Sequence, residues 1–364
     1  MKCNLPRERC CGELEQVFGF YKAMPTGVTV SENGRIFVNF PKWGDKVDYT
    51  VAEIVDGKLC PYPDMKTNTT DYNNLCNTFI SVQSVVADGQ GTLWVLDTAS
   101  PNFSKPIKGG AKLVAIDLST NKINRIYTFS DDVVLDTTYL NDVRFDYRVG
   151  RCGYAYITDS SSNGPGAIIV VDLYSGRAFR RLNGTKSTSP DPCFLPKVEG
   201  EIMYNRSEDG TTSPAVTSAD GIAISQDGKI LYYCPLSSRA LYSIETEVLR
   251  DTSIPDRYLE KYVVYMGEKG ASDGMITDNK GAIYAGDYEN NSIRKILPDS
   301  SIKTIAHSPY ILWPDTLSIG PDGYLYFIAN QLNRQSKYHY GRDIRVKPYS
   351  LFRININELP AQTK

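Results

Sequence analysis

One pattern recurs six times along the 364-residue chain and limits the folds that the chain can adopt. Each copy contains a polar residue, an alternating apolar segment, a turn with glycine and an aromatic-rich segment. Alternation with a period of two is typical of strands, and glycine supplies the positive φ of a tight hairpin turn. The copies are PTGVTVSENGRIFVNF (25–40), VQSVVADGQGTLWVLD (82–97), LNDVRFDYRVGRCGYAYITD (140–159), ADGIAISQDGKILYYC (219–234), SDGMITDNKGAIYAGD (272–287) and PDTLSIGPDGYLYFIAN (314–330).

Further strand-like segments lie between the copies, at 111–129, 166–182, 239–249 and 291–306. A hairpin followed by two more strands is the unit of a propeller blade. The chain lacks a sustained helical pattern, which argues against an α/β fold. The sequence therefore predicts an all-β, six-bladed β-propeller with four antiparallel strands per blade.

A closed ring needs its last blade completed, because an incomplete blade would expose an unpaired strand edge. Segment 14–23 has a strand pattern and is expected to pair beside segment 350–357, so that both ends of the chain share the last blade. The predicted organisation is a single propeller domain over 1–364, with an N-terminal extension at 1–13 and insertion loops at 183–217 and 331–348.

The charge balance argues against several classes of partner. With 40 basic and 42 acidic residues the net charge is −2, and neither long charged runs nor a membrane-length apolar stretch occurs. Nucleic acid and membrane insertion are therefore not expected, and the oligomeric state stays open. Eight cysteines and five Asn-x-Ser/Thr sequons suit a secreted, disulfide-bonded glycoprotein, although no signal peptide is visible; free thiols are the alternative.

The six copies share one polar position just before or at the first strand, and the inner strand of a propeller blade lines the central channel. The six residues are therefore expected to form a ring at the channel mouth: Thr26, Gln83, Asn141, Asp220, Asp273 and Asp315. In one interpretation they satisfy the strand ends together with trapped water. In the other, the carboxylates and amides hold a structural Ca²⁺ or Mg²⁺, with Asn141, Asp220, Asp273 and Asp315 as ligands.

Aromatic and polar residues in the loops on the same face predict a pocket for a small organic molecule. The expected substrate-binding residues are Trp43, Phe103, Tyr139, Trp313 and Gln331, and the expected hydrogen-bonding or acid–base residues are Asp159, Asp287, His307 and Asn330. The alternative is that the aromatic side chains merely pack between blades.

Several catalytic classes lack their motifs in this chain. Only two histidines occur, His307 and His339, and no G-x-S-x-G elbow, dinucleotide fingerprint or phosphate loop is present. Catalysis is therefore expected to require no cofactor and to depend on positioning, hydrogen bonds and an Asp or His307 as acid or base.

Long segments of the chain resemble the Yellow / major royal jelly protein family, in the order in which they occur there. They are GAKLVAIDLSTNKINRIYTFSDDVV (110–134), YLNDVRFD (139–146), GYAYITDSSSNGPGAIIVVDLYSGRAFRRL (153–182), DGIAISQDGKILYYCPLSSRALYSI (220–244) and LWPDTLSIGPDGYLYFIANQLNR (312–334). The resemblance implies a six-bladed propeller. It also implies a choice of functions: a tautomerase that converts dopachrome, a binder of biogenic amines, a nutritive protein, or a fungal hetero-Diels–Alderase that joins an o-quinone methide to an alkene.

The compact loops look more like the fungal and microbial branch, so the leading hypothesis is a cofactor-independent pericyclase or tautomerase of specialised metabolism that acts on a quinonoid or aromatic substrate. A secreted binder of amines or other small ligands is the alternative. The polar ring is also similar to that of the gluconolactonase and strictosidine-synthase propellers, where Asn141, Asp220 and Asp273 match metal ligands. This match makes a metal-dependent lactonase the third hypothesis, although Thr26 departs from the pattern because those proteins have a glutamate at its position.

Overall fold

A computed structural model describes residues 10–364, in which most of the regular structure is β-strand. The strands are β1 (Glu15–Phe20), β2 (Gly27–Val30), β3 (Ile36–Asn39), β4 (Val51–Val55), β5 (Lys58–Pro61), β6 (Val82–Ala87), β7 (Thr92–Asp97), β8 (Lys112–Asp117), β9 (Lys122–Thr128), β10 (Leu140–Asp146), β11 (Tyr154–Asp159), β12 (Ala167–Asp172), β13 (Ala178–Arg181), β14 (Lys197–Val198), β15 (Glu201–Ile202), β16 (Tyr204–Arg206), β17 (Thr212–Pro214), β18 (Ala219–Ile224), β19 (Ile230–Pro235), β20 (Ala240–Glu245), β21 (Val264–Glu268), β22 (Ser272–Thr277), β23 (Ile283–Asp287), β24 (Ser292–Ile296), β25 (Ile302–His307), β26 (Pro314–Ile319), β27 (Tyr324–Ala329) and β28 (Tyr349–Asn355). The helical segments are α1 (Met65–Asn68), α2 (Thr246–Arg250) and 3₁₀ turns at Pro101–Phe103, Lys186–Thr188, Asp256–Tyr262, Leu332–Arg334 and Ser336–Tyr338.

Six four-stranded antiparallel sheets within residues 10–364 form the blades of a β-propeller. The first five blades are β2–β5, β6–β9, β10–β13, β18–β21 and β22–β25, and the sixth contains β26, β27, β28 and β1. The innermost strands β2, β6, β10, β18, β22 and β26 pack side by side in a closed ring around the central channel. The predicted all-β, six-bladed fold is confirmed.

The sixth blade combines strands from both ends of the described chain. Strand β1 pairs antiparallel with β28, so that Phe20 lies opposite Tyr349 and Glu15 lies opposite Arg353. Glu15 and Arg353 also form an exposed ion pair at 2.8 Å. The predicted closure is therefore confirmed, and it leaves the inner three strands of this blade protected on their outer side.

The hydrophobic core lies between neighbouring blades. Phe145 of the third blade is buried and stacks on Trp94 of the second blade, with 4.7 Å between ring centroids. Tyr156 and Ile222 belong to a similar cluster between the third and fourth blades. Each fully buried Val, Leu, Ile or Phe stabilises the fold by about 1.5–3 kcal/mol relative to leaving it exposed. Packing between blades thus holds the channel rigid.

The hairpin turns depend on glycine, as the repeat predicts. Gly228 in the turn between β18 and β19 has φ +74°, and Gly323 between β26 and β27 has φ +79°. A side chain at Gly228 would also meet the carboxylate of Asp146 at 2.6 Å. Glycine is thus needed there both for the backbone conformation and for the close approach of the third blade.

The two long insertions fold over one mouth of the channel, and we call them the cover loops (183–217 and 331–348). The first contains the hairpins β14–β15 and β16–β17, and the second contains two 3₁₀ turns. They are joined by an ion pair in which Arg334 Nε donates to Glu199 Oε2 over 2.8 Å. Both insertions were expected as loops, and the structure adds that they pack on each other.

The cysteines in residues 10–364 are not disulfide-bonded: Cys10, Cys11, Cys60, Cys76, Cys152 and Cys193 are exposed, and Cys234 is buried. The expectation of disulfides is therefore not supported there, and the free-thiol alternative describes these seven residues. Cys3 lies outside the described residues. None of the helices in the described part is long and apolar enough to cross a membrane.

Candidate functional site: a covered polar ring at the channel mouth

The polar position of the repeat lies at a β-bulge in five inner strands. The pairing of β6, β10, β18, β22 and β26 with the next strand shifts register at this position. A bulge turns a side chain out of the regular alternation of a strand. The residues at these five shifts, which we call the polar ring, are Gln83, Asn141, Asp220, Asp273 and Asp315.

Thr26 does not join the polar ring, because β2 pairs with β3 without a register shift. Its buried hydroxyl accepts a hydrogen bond from Asn39 Nδ2 at 2.9 Å and donates to the backbone carbonyl of Gln83 at 3.3 Å. The expectation of six equivalent side chains at the channel is therefore wrong for the first blade.

The glycine that follows Asp220 and Asp273 makes the ring compact. A side chain at Gly221 would lie 2.3 Å from the carbonyl oxygen of Asp273, and one at Gly274 would lie 2.5 Å from that of Asp315. The Asp-Gly pairs of the repeat are therefore required because each inner strand passes directly against the next.

A chain of hydrogen bonds runs along the ring in one direction. Trp43 Nε1 donates to Tyr139 Oη at 2.8 Å, and Tyr139 Oη donates to Gln83 Oε1 at 3.0 Å. Gln83 Nε2 then donates to Asn141 Oδ1 at 2.9 Å, and Asn141 Nδ2 donates to Asp220 Oδ1 at 2.7 Å. The amide orientations are thus set by the ends of the chain, a tyrosine hydroxyl at one end and a carboxyl group at the other.

The chain of hydrogen bonds ends at a pair of buried carboxyl groups. Burial, followed by repulsion from Asp273, raises the pKa of Asp220 well above its usual value. Burial also raises the pKa of Asp273, while hydrogen bonds from Asp220 and Trp313 lower it. Asp220 is accordingly the protonated partner and donates to Asp273, which also accepts from Trp313 Nε1 at 2.9 Å.

The pKa of the third acid, Asp315, is raised for the same reasons. Burial, followed by the charge of Asp273, raises its pKa well above the usual value, although Asn330 Nδ2 donates to it at 2.6 Å. A cavity of about 10 Å³ lies between these groups, with Gln83, Asn141, Asp220 and Asp315 in its wall. This volume suits one water molecule, as the first interpretation of the ring predicts.

The Ca²⁺ or Mg²⁺ that was expected at the ring stays a prediction. Among residues 10–364, no group of three or more His, Cys, Asp or Glu side chains is placed to hold a metal ion. Each ring carboxyl group already accepts a hydrogen bond from a neighbouring donor, namely Ser160, Trp313 or Asn330. These hydrogen bonds and the raised pKa values of the three acids describe the ring without a bound ion.

Two of the polar residues that were expected in acid–base roles form buried ion pairs within their blades. Asp159 is fully buried and pairs with Arg180 at 2.8 Å, and Asp287 is buried and pairs with Arg294 at 2.6 Å. Asp97, at the same strand end in the second blade, pairs with Lys112 in the same manner. These carboxylates end the second strand of their blades, where they also accept backbone N–H groups.

Asn330 is the one residue of this expected set that the structure brings to the ring, since it donates to both Asp315 and the carbonyl of Pro25. His307 is the last residue of β25, the outermost strand of the fifth blade, and its Nδ1 lies 2.9 Å from the carbonyl of Asn290. It is therefore placed at the rim of the propeller and away from the channel.

Three of the expected aromatic residues form one group above the ring. Trp43 and Phe103 stack with 4.6 Å between ring centroids, and Phe103 lies 5.1 Å from Tyr139. We call these three residues the aromatic platform. Phe103 is 43% exposed, whereas Tyr139 is buried against the ring.

The other two expected binding residues have different neighbours. Trp313 is buried and stacks on Tyr288 at 4.2 Å, beneath the cover loops. Gln331 braces the second cover loop, because its side chain donates to the carbonyl of Val346 and accepts from the N–H of Val346. Trp313 thus contacts the ring from below the cover, and Gln331 positions the cover itself.

Lys337 was missed by the sequence interpretation. It lies in the 3₁₀ turn Ser336–Tyr338 of the second cover loop, and its Nζ is 4.0 Å from the ring centroid of Phe103. Burial lowers the pKa of this ammonium group to about 8. No local sequence pattern predicts this placement, because Phe103 belongs to the second blade and Lys337 follows a strand of the sixth blade, far away in the chain.

The cover loops close the site from above. Phe194, Val198 and Met203 of the first loop and Leu332 and Tyr338 of the second pack on Trp313 in one apolar cluster. A ligand that reaches the ring from this face must displace part of that cluster.

Fold and site together define a six-bladed β-propeller with a covered polar ring at one mouth of its channel. The same fold is found in solved structures. One is a luciferin-regenerating enzyme, with a TM-score of 0.57, 13% identity and coverage of 97% of this chain and 99% of that one. Another is a calcium-binding regucalcin from Agrobacterium tumefaciens, with a TM-score of 0.55, 13% identity and coverage of 96% and 98%. These identities show a shared fold alone.

The sequence comparison is more specific. The family model described as major royal jelly protein matches residues 80–363. Protein yellow of Drosophila pseudoobscura pseudoobscura is 28% identical over 262 residues, which cover 68% of this chain and 44% of that protein. Protein yellow of Drosophila melanogaster is 27% identical, with coverage of 68% and 46%. The chain belongs to the major royal jelly protein family, and its match spans less than half the length of these two relatives.

Proposed function

We propose that this protein binds a small aromatic or quinonoid molecule between the aromatic platform and the cover loops and accelerates a cofactor-independent rearrangement of it. The finer proposal is a pericyclic step of the hetero-Diels–Alder type, or a tautomerisation. The observation that carries the proposal is the placement of the Lys337 ammonium group over the face of Phe103, next to Trp43. In this proposal a planar, electron-poor substrate contacts the exposed part of Phe103, with its oxygen near the Lys337 ammonium group.

The proposed chemistry uses groups of this chain alone. A hetero-Diels–Alder reaction forms one C–C and one C–O bond with no atom lost, so it needs two partners held in contact and a polarised carbonyl. Positioning of that kind contributes about 7–11 kcal/mol when the reacting groups are well aligned. In a tautomerisation, Lys337 would give a proton to the substrate oxygen. The neutral amine left behind would take up the proton released from the substrate carbon, directly or through water, which restores the ammonium group.

Several solved structures with this fold carry the names of enzymes that act on small organic molecules. They include a luciferin-regenerating enzyme, a putative gluconolactonase and a streptogramin B lyase. At 12–14% identity these names support the proposal only through the shared fold.

The test is a rate measurement with dopachrome and with an o-quinone methide plus a humulene-type alkene, each compared with buffer. We expect faster conversion or a single stereoisomer with the protein. Lys337→Met should lower the rate by about 10²- to 10⁴-fold if the ammonium group polarises the substrate oxygen. Lys46→Met, at a side chain that is 91% exposed, is the matched control and should change nothing.

The pH dependence separates this role from simple packing. Because the Lys337 pKa is about 8, activity that needs the ammonium form should fall as the pH rises through that value, and Lys337→Met should have a low and flat profile. Conversion that matches buffer for both substrate types would overturn the proposal.

A second candidate function is the binding of a cationic amine without turnover, and the protonated acids of the polar ring favour it. An ammonium group near Asp220 and Asp273 would stabilise their ionised forms, so binding should release a proton. Calorimetry of serotonin or dopamine in buffers of different ionisation enthalpy measures that proton. Tight binding with proton release and recovery of unchanged ligand would favour the carrier over the enzyme.

A further inference from the structure

A cleft lies at the outer edge of the propeller, where the sixth blade meets the first, and we call it the edge cleft. Its volume is about 280 Å³, near the lower end of the range for small-molecule pockets. Residues of β1, the outermost strand of the sixth blade, and of β5, the outermost strand of the first, contribute to its wall. The lining residues lie outside the polar ring, the aromatic platform and the cover loops, so the cleft is separate from the proposed substrate site.

Four aromatic side chains in the wall of the edge cleft form a continuous row. Phe18 and Phe20 have 5.0 Å between ring centroids, and Phe20 lies 5.7 Å from Phe40. Phe40 lies 6.3 Å from Tyr49, which completes the row. Phe20 and Phe40 are buried, whereas Phe18 and Tyr49 are half-buried and keep part of their surface accessible. The cleft therefore offers aromatic surface to the apolar part of a ligand, and a flat aromatic body suits such surface best.

The charged groups in the wall of the edge cleft are three lysines and one carboxylate, Lys22, Lys46, Lys58 and Asp48. Asp48 pairs with Lys22 at 2.9 Å and lies 4.0 Å from Lys46, so two ammonium groups share one negative charge. Among residues 10–364, Lys58 has no ion-pair partner. Another cation is close, because Lys347 Nζ donates to the backbone carbonyl of Lys22 at 2.6 Å. Three positive charges against one negative leave the wall with an excess of two positive charges.

The aromatic row and the lysines would contribute in different ways to the binding of a ligand. Water screens the exposed ammonium groups, so each of them adds little free energy to an interaction with an anion. Removal of apolar surface from water is the larger favourable contribution, and it does not depend on the charge of the ligand. The apolar body of a ligand would therefore supply most of the affinity, and the excess of positive charge would select an anion over a neutral or cationic molecule of the same shape.

We propose that the edge cleft is a binding site for a small organic acid in which a flat aromatic body carries one carboxylate. The aromatic body lies against the accessible parts of Phe18 and Tyr49. The carboxylate lies toward Lys58, the wall lysine that no acid of the described chain neutralises. Lys22 stays paired with Asp48 at the rim.

The test is a ligand-observed NMR titration of the full chain with three naphthalene derivatives of similar shape. 2-Naphthoate is the anion, 2-acetylnaphthalene is its neutral counterpart, and 2-naphthylmethylammonium is the cation. Saturable binding is expected, tightest for the anion and weakest for the cation. High salt should weaken the binding of 2-naphthoate and leave that of 2-acetylnaphthalene nearly unchanged, because salt screens charges and does not weaken apolar contacts.

Two substitutions should move the affinity in opposite directions. Lys58→Gln removes the cation without a partner and should weaken 2-naphthoate about two- to fivefold. Asp48→Asn removes the carboxylate that holds Lys22 and should strengthen 2-naphthoate by a similar factor. Both variants should bind 2-acetylnaphthalene as the parent protein does. Lys229→Gln and Asp131→Asn, at side chains that are 79% and 70% exposed outside the cleft, are the matched controls and should change nothing.

A third substitution tests the location of the site. Leu59 is a half-buried residue of the wall, and Leu59→Trp should fill the cleft and abolish the binding of the acid and of its neutral counterpart. The proposal is overturned by the lack of saturable 2-naphthoate binding, by equal affinity for the anion and the cation, by equal effects of Lys58→Gln and Lys229→Gln, or by full binding to a folded Leu59→Trp variant. None of these outcomes depends on activity at the polar ring.

Discussion

Replacing Asp220 by Asn tests whether the carboxyl group of Asp220 is protonated in the folded protein. In the folded protein the neutral carboxyl group of Asp220 accepts from Asn141 Nδ2 and donates to Asp273. An asparagine at this position keeps both contacts, because its oxygen accepts and its amide donates. The Ser160 hydroxyl, which donates to Asp220 Oδ2 at 2.8 Å, can turn to accept instead. Asp220→Asn therefore removes a titration and little else.

The sign of the effect follows from the raised pKa. Above the usual value of 3.8 the unfolded chain releases the Asp220 proton, whereas the folded protein keeps it until the pH reaches its higher pKa. The stability that Asp220 contributes is thus complete below pH 3.8 and is lost as the pH rises through the folded pKa. In this window the free energy of unfolding falls by up to about 1.4 kcal/mol per pH unit for one proton.

The assay is urea unfolding of both proteins at half-unit steps between pH 4 and pH 8, with the same ionic strength throughout. Relative to the parent protein, Asp220→Asn should gain stability as the pH rises and then keep a constant advantage. Asp227→Asn is the matched control, because the pKa of exposed Asp227 is lowered by Ser225 and the N–H of Lys229, so the sign should be opposite and the effect small. Parallel profiles for Asp220→Asn and the parent protein would show that Asp220 is ionised in the fold, and the reasoning would be wrong.

Three further substitutions have expected magnitudes, each measured by the midpoint of urea unfolding. Lys112→Met should cost about 3–5 kcal/mol, because it leaves the fully buried carboxylate of Asp97 without its charged partner; a loss below 1 kcal/mol would mean that backbone N–H groups alone satisfy Asp97. Trp313→Phe should cost about 1–3 kcal/mol by removing the donor to Asp273, and its loss should be smaller at low pH, where Asp273 is neutral. Phe145→Ala should cost about 3–5 kcal/mol as a cavity opens between the second and third blades, whereas Phe145→Leu should retain most of the stability.

The repeat predicted the position of the site well and the roles of its residues less well. The five bulge residues could be found because one polar position recurs in register with the turn glycines. Asp159 and Asp287 also lie at repeated positions, but their pairing with Arg180 and Arg294 depends on the neighbouring strand of each blade. His307 was assigned to the pocket because it precedes an inner strand in the sequence. It ends β25, which is the outermost strand of its blade, so it lies at the rim instead.

The aromatic platform was predicted as a set of residues, and only the fold shows that Trp43, Phe103 and Tyr139 touch while Trp313 stacks elsewhere. Lys337 could not be predicted, because its contact with Phe103 is made between an insertion and a distant blade. This contact depends on how the cover loops pack on the propeller, and the periodicity of the sequence around Lys337 gives no information about that packing.

The sequence by itself determined the hairpins of the six repeats, the number of blades, the closing pair of terminal strands and the need for glycine in the hairpin turns. Each of these follows from alternation or backbone conformation within a few residues. Only the tertiary structure decided which acid holds a proton, where the cover loops lie, and that segment 359–363 crosses the end of the channel opposite the polar ring. Burial and hydrogen bonding are the reason, since both depend on residues that are far apart in the chain and meet only when the ring of blades is complete.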